Sequence, residues 1–193
     1  MAKEKMDIKL KKCMTPEFRV SFPNVFKPRA FTEGQEAKYS IACLFSKNTD
    51  LKELKRAATN ALIEKWGPKE KWPKNLDMPF RDGDDKPELD GYAGTIYINA
   101  KSKQRPGLVG ATKVNGELPS LTEDSGDFYA GCYARASLIA YAYETGANKG
   151  VAFALQNIQK LRDGEAFSGK KAAKDEFEEA VDAGGESETD YEL

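Results

Sequence analysis

The chain has 193 residues with 30 lysines and arginines against 31 aspartates and glutamates, yet nine of those acids lie between Asp175 and Leu193, where no basic residue stands. Without that stretch 30 basic residues face 22 acidic ones, so a body of net charge +8 carries an acidic end. The absence of histidine, and three widely spaced cysteines (Cys13, Cys43 and Cys132) with no CxxC pair, exclude the usual zinc sites and the Ser-His and Cys-His nucleophile pairs and leave buried free thiols.

Such an asymmetry predicts a body that binds polyanions, an end that addresses other proteins, or both, against the plainer reading of a solvated terminus that aids solubility. No run approaches the ~20 apolar residues needed to cross a membrane. The start, "MAKEKMDIKLKK", lacks the apolar stretch of a signal peptide, so the cytoplasm is the expected location. One domain over residues 1–167 and a flexible acidic segment over 168–193 is the expected organisation.

Along the chain the first strand signal is "EFRVSFPNVF", where Phe18, Val20 and Phe22 alternate with Arg19 and Ser21. "AKYSIACLFSK" follows, with Tyr39, Ile41, Cys43 and Phe45 on one side. A helix comes next: Asp50 is placed to cap it with Glu53 at the capping-box position, Leu51, Leu54, Ala58 and Leu62 recur at helical spacing, and "WGP" stops it. Residues 67–91 are too rich in Pro, Gly and Asp for regular structure, and Trp66 and Trp72 stand at the helix end and under this connection. Strands resume with "YAGTIYINAKSK", then "GCYARASLIAYAYE" and "KGVAFALQNIQKL". Phe177, Ala180 and Val181 outline one short amphipathic helix in the acidic end.

Two motif resemblances fail on chemistry. "GEAFSGKK" has the spacing of a phosphate loop, but Lys171 replaces the hydroxyl residue that would hold magnesium. "DGDDKPELD" resembles a calcium loop, but Lys86 sits at the third acidic position and Pro87 where glycine must turn the chain.

More telling is "CYARASLIAYAY". As a strand it puts Cys132, Ala134, Ala136, Leu138, Ala140 and Ala142 on a small apolar face suited to a barrel interior. Tyr133, Arg135, Ser137, Ile139, Tyr141 and Tyr143 take the other face. Rings beside a guanidinium form a platform on which bases stack for ~1–3 kcal/mol each whatever their identity. The alternative is that these tyrosines cover a second core or a subunit interface. In "TIYINAK", Tyr97, Asn99 and Lys101 likewise share a face, and residues 95–116 carry Lys101, Lys103, Arg105 and Lys113 with no acid. Rings interleaved with cations suit a single strand, which exposes both bases and phosphates; a duplex reader more often uses a basic recognition helix, and "DLKELKRAATNALIEKW" is mixed in charge.

With those pieces in view, the sequence resembles the bacteriophage single-stranded DNA-binding proteins long grouped as a domain of unknown function. The resembling segments are "FPNVFKPRAF", "LFSKNTDLKELK", "MPFRDGDDK", "YINAKSKQRPGLV", "FYAGCYARASLIAYAY" and "GVAFALQNIQKLRDGE", in order across residues 18–167. "MPFRDGD" and the acidic end are also similar to the strand-coating replication proteins of podoviruses. The resemblance implies a mainly β OB-fold, a five-stranded Greek-key barrel with one main helix and a disordered acidic C-terminal tail, that binds DNA along one face. It implies a non-enzymatic role in phage replication, recombination and repair within the host cytoplasm. It also implies a tail that contacts replication proteins such as polymerase and helicase-primase. Related tails end on an acid followed by Phe; here the end is Asp190, Tyr191, Glu192, Leu193, with Tyr191 as the available aromatic.

The site residues expected are Tyr97, Tyr133, Tyr141 and Tyr143 for stacking and Lys101, Lys103, Arg105, Arg135, Lys27, Arg29 and Lys47 for phosphate. Phe177, Asp190, Tyr191 and Glu192 are expected to touch partners, and no cofactor or metal is called for. The tail is expected to compete with DNA for the basic groove. Two rivals stand beside this reading: a protein-interaction module with an aromatic face, and a magnesium-dependent phosphodiester enzyme built on Asp82, Asp84 and Asp85. Oligomeric state is open between monomer and homodimer.

Overall fold

The structure, a computed structural model, describes residues 8–167. A helical turn, α1 (Ile8–Lys11), leads into the short strand β1 (Lys12–Met14). The alternation at Phe18 continues through β2 (Phe18–Arg29), and the β-branched and aromatic run 38–46 forms β3 (Lys38–Ser46). The helix α2 (Lys52–Trp66) follows. The Asp50 carboxylate accepts from the Lys52 N–H at 2.9 Å, while Glu53 turns to Arg56 at 2.7 Å rather than back to the cap. Gly67 donates to the Ile63 carbonyl at 2.8 Å and ends the helix, and the Trp72 indole donates to the Gly67 carbonyl at 2.8 Å.

The connection expected to be irregular holds two 3-10 turns and a two-residue strand, β4 (Arg81–Asp82). Then come β5 (Thr95–Ser102), β6 (Gly107–Val109), β7 (Tyr133–Thr145) and β8 (Asn148–Arg162).

Five of these strands close on themselves. β2 pairs β3, β3 pairs β5 and β7 pairs β8, all antiparallel; β5 pairs β8 in parallel, and Phe18 opposite Ala134 joins β2 to β7. The ring β2-β3-β5-β8-β7 is the OB-fold barrel, with β1, β4 and β6 added at its margins. Inward positions carry Phe18, Val20, Val25, Ile41, Cys43, Phe45, Ile98 and Phe153 against the small residues Ala134, Ala136 and Ala140 of β7, as a tight barrel needs. α2 lies against β7, β1 and β8 and closes the interior with Leu54, Ala57, Ala58, Ala61 and Leu62. All three cysteines are buried free thiols.

Candidate nucleic-acid interface

β2 does not keep its alternation. Pro23 has no N–H to give a ladder, and between Ser21 and Asn24 the register against β3 slips. Phe22 adopts a left-handed backbone with φ of 44° and stands 52% exposed, so the residue expected to complete the apolar face instead projects outward. A bulky ring held there is a strained feature of the kind that collects at binding sites.

On both sides of the bulge the outer positions of β2, β3 and β5 line up in rows. Arg19, Leu44 and Tyr97 make one, Ser21, Ala42 and Asn99 the next, and Asn24, Ser40 and Lys101 the third. The last two rows are short and mostly polar, and Asn24 Nδ2 donates to Ser40 Oγ at 3.2 Å. Ser21, Ala42 and Ser40 are themselves buried, whereas Asn99 and Lys101 are exposed. The β2–β3 loop brings Phe31, 53% exposed, to 5.0 Å from Lys101 Nζ. Just beyond β5, Arg105 stands 5.8 Å from the ring of half-buried Phe26, which packs against the core. Two ring–cation pairs thus stand toward the hairpin end of β2, β3 and β5, and such pairs can offer a base a stacking surface and a phosphate a charge.

The remaining cations of this face are held loosely. Lys103 pairs with Glu36 at 2.8 Å, and Lys27 with Glu123 at 2.9 Å, all on exposed side chains. The Lys103 hydrogen bond holds the Glu36 carboxyl below its ordinary range. Exposed pairs of this kind are weak, and a phosphate can take the place of either carboxylate. Arg29, opposite Lys38 at the open end of the hairpin, is exposed.

Lys27 and Arg29 thus stand at the hairpin end of β2, and Lys101, Lys103 and Arg105 at the end of β5 and just beyond it, while the other expected residues are placed differently. Tyr97 is on the outer face but only 7% exposed, edge-on to Tyr92 at 5.0 Å and covered by the 83–92 connection. Lys47 is occupied: it pairs with Asp82 at 2.9 Å and with Asp84, whose hydrogen bonds raise its pKa.

β7 is separated from β5 by β8 on one side and by β2 and β3 on the other, so its residues from Arg135 on lie away from Lys101. Tyr133 instead extends the Arg19 row: it pairs with Arg19, whose guanidinium is 5.8 Å from its ring centroid, and it is half-buried beneath the Arg162 guanidinium at 3.5 Å. Arg135 donates to Gln159 at 2.8 Å, and the Tyr143 hydroxyl donates to Asp77 at 2.8 Å. Tyr141 is 44% exposed on β7, away from Lys101. A single strand's alternation cannot reveal which neighbours a barrel will place beside it, so the two predicted platforms did not merge.

The acidic loop also reads differently in three dimensions. Asp82 accepts from the Asp84 N–H at 3.0 Å and Asp84 from the Gly94 N–H at 2.6 Å, and these bonds, with Lys47, hold both carboxyls below their usual range. Both carboxylates are thus engaged with the turn and with Lys47. Among the described residues no cluster of acids and cysteines could hold a metal ion. Phe177, Asp190, Tyr191 and Glu192 lie outside the described residues.

Sequence reasoning missed Phe22, Phe26 and Phe31 as ring candidates. The proline inside "FPNVF" was the available signal that the alternation would break there.

A family model described as Enterobacter phage Enc34, ssDNA-binding protein, matches residues 11–189. Protein p50 of Acyrthosiphon pisum secondary endosymbiont phage 1 is 37% identical over 171 residues, which span 83% of this chain and 89% of that protein. Among solved structures, the single-stranded DNA-binding protein from bacteriophage Enc34 in complex with ssDNA aligns with a TM-score of 0.69 at 24% identity, over 83% of this chain and 91% of that one. Gp2.5, a single-stranded DNA binding protein encoded by bacteriophage T7, aligns with a TM-score of 0.55 at 15% identity, over 88% and 98%. At these identities the structural likenesses establish the fold.

Proposed function

The chain belongs to the family of the Enterobacter phage Enc34 ssDNA-binding protein, and from that premise we propose that it binds single-stranded DNA, with little regard to sequence, along the outer face of β2, β3 and β5. The observation that carries this reading is the pairing of exposed Phe31 with Lys101, and of Phe26 with Arg105, at the hairpin end of these strands. Bases stack on the rings and phosphates take the cations. Nothing in the set reads a base edge by a fixed two-pronged hydrogen bond, which is why binding is tolerant of sequence.

The acidic segment is proposed to compete with DNA for this face and to address replication proteins when displaced, in phage replication, recombination and repair. Its position supports this. Arg19, whose side chain belongs to the interface row, donates to the Glu165 carbonyl at 2.7 Å, so the chain leaves the barrel beside the basic face. Asp175, the first of the nine acids, follows Phe167 by eight residues, a span of under about 30 Å even when extended.

Fluorescence anisotropy of a labelled oligonucleotide, single- against double-stranded, over a salt series tests the proposal. Tighter single-strand binding that weakens as salt rises is the expected result, since phosphate neutralisation releases counterions. Equal affinity for duplex and single strand, or indifference to salt, overturns it.

A further inference from the structure

We propose that the Arg19–Tyr97 end of this face is an additional nucleobase subsite, held in cis by the ring of Phe167 until DNA displaces it. This inference rests on the single-strand reading above and extends it to a place where the interface is closed.

Phe167 follows β8 after a short irregular segment and is only partly buried. Its ring sits 4.3 Å from the Arg19 guanidinium and packs against Leu44, Tyr92 and Tyr97, whose rings meet edge to face. A guanidinium over the ring and tyrosines packed against it are the kind of contacts a flat, electron-rich base meets in a stacking site, and a phenyl ring is the side chain closest in shape to such a base. The place is shaped for a ring. Gly91, at φ of 78°, leaves open the space where a Cβ would stand 2.1 Å from Phe167 Cζ.

The strap is held by the Phe167 N–H to the Ala130 carbonyl at 2.9 Å, by the bond from Arg19 to Glu165, and at Gly164 by the Tyr129 hydroxyl, which donates to the Gly164 carbonyl at 2.9 Å; the Phe167 ring itself is held by packing and by the Arg19 guanidinium. Exchanging one stacked ring for another conserves most of the buried contact, so DNA displaces Phe167 at little net cost. Along β5, Tyr97 lies four residues from Lys101, about 13 Å. A strand lying over Phe31 and Lys101 therefore reaches the Phe167 position within a few nucleotides. Displacement also frees the root of the acidic segment, so the last base to bind is the one that releases the tail.

The test compares the full chain with its Phe167→Ala and Phe167→Ala/Tyr97→Leu forms, using oligothymidylates of graded length. Photocrosslinking of an iododeoxyuridine oligonucleotide to the wild-type protein runs beside it. The expected results are about fivefold tighter binding by Phe167→Ala, a longer minimal site, loss of both gains in the double variant, and crosslinks at Tyr92 or Tyr97. Unchanged or weaker binding by a folded Phe167→Ala protein overturns the subsite. So do crosslinks confined to the β2–β3 loop and the middle of β5, a result obtained without any variant. If the wild-type chain fails to bind single strands at all, the functional reading itself falls, an outcome distinct from either of these.

Discussion

Lys101 Nζ stands 5.0 Å from the centre of the Phe31 ring. Lys101 is exposed on β5 and Phe31 lies in the loop after β2, so their contact joins that loop to β5. Ring and ammonium are both exposed, so the contact contributes little to folding, and its value is in presenting a stacking surface beside a phosphate ligand.

Roles on the face separate by salt dependence. Phe31→Ala is expected to lower single-strand affinity by about fivefold or more with the salt slope unchanged, because a lost ring removes stacking and no ion pair. Lys101→Ala and Arg105→Ala should each weaken binding and flatten the slope by roughly one unit. Anisotropy titrations at four salt concentrations read both quantities. A phenylalanine variant that changes the slope would show that the ring acts through its cation.

Phe22 offers a test in which stability and binding move in opposite directions. Its left-handed backbone costs a non-glycine residue roughly 1–2 kcal/mol, so Phe22→Gly should match or exceed the wild type in thermal stability while losing affinity for single strands. Calorimetry and the oligonucleotide titration are run on the same sample. A destabilised variant with full affinity would show that the ring packs and does not bind.

β7 supplies the control. Tyr141→Ala and Arg135→Ala, on the other wall, should change affinity by less than about twofold, within what surface substitutions away from a site produce. A large loss at Tyr141 would mean that DNA wraps beyond β5 on to β7, and the interface would have to be redrawn.

The buried thiols set a stability limit at high pH. Burial raises the Cys13 thiol to about 11 and pushes Cys43 higher still, with Cys132 moved in the same direction. The folded state therefore keeps protons that the unfolded chain releases near pH 9. Stability is expected to be flat below that value and to fall as pH rises above it, by up to about 1.4 kcal/mol per pH unit for each thiol. Denaturant unfolding at pH 8, 9 and 10 shows the slope, and iodoacetamide labelling at pH 8 should be slow in the folded protein and fast in the unfolded one.

Deleting residues 175–193 removes nine negative charges and leaves a body of +8. Tighter binding is expected, most of all at low salt, where a Debye length of ~30 Å at 0.01 M lets the segment act across the domain, and discrimination against duplex should decline. Identical behaviour of both proteins at every salt concentration would confine the segment to protein partners or solubility.

By itself the sequence determined the features that depend on local pattern and on sums. Charge asymmetry between body and end, the Lys52–Trp66 helix, the buried alanine face of β7, the inert cysteines and the basic run from Lys101 to Arg105 all follow from spacing or composition, which no packing arrangement alters. Tertiary structure alone decided which outward faces share a surface. Closure of the barrel put β8 between β5 and β7, so Tyr141 and Tyr143 of "CYARASLIAYAY" stand away from the cations of "YINAKSK", while Tyr133 came beside Arg19 of β2 and β3 came beside β5 through pairings distant in the chain. The bulge at Phe22 and Pro23 turned a core-facing ring outward, and the 83–92 connection with Phe167 covered Tyr97. An alternating strand states that it has two faces; only the neighbours that the barrel brings to each face decide which one is open to a ligand.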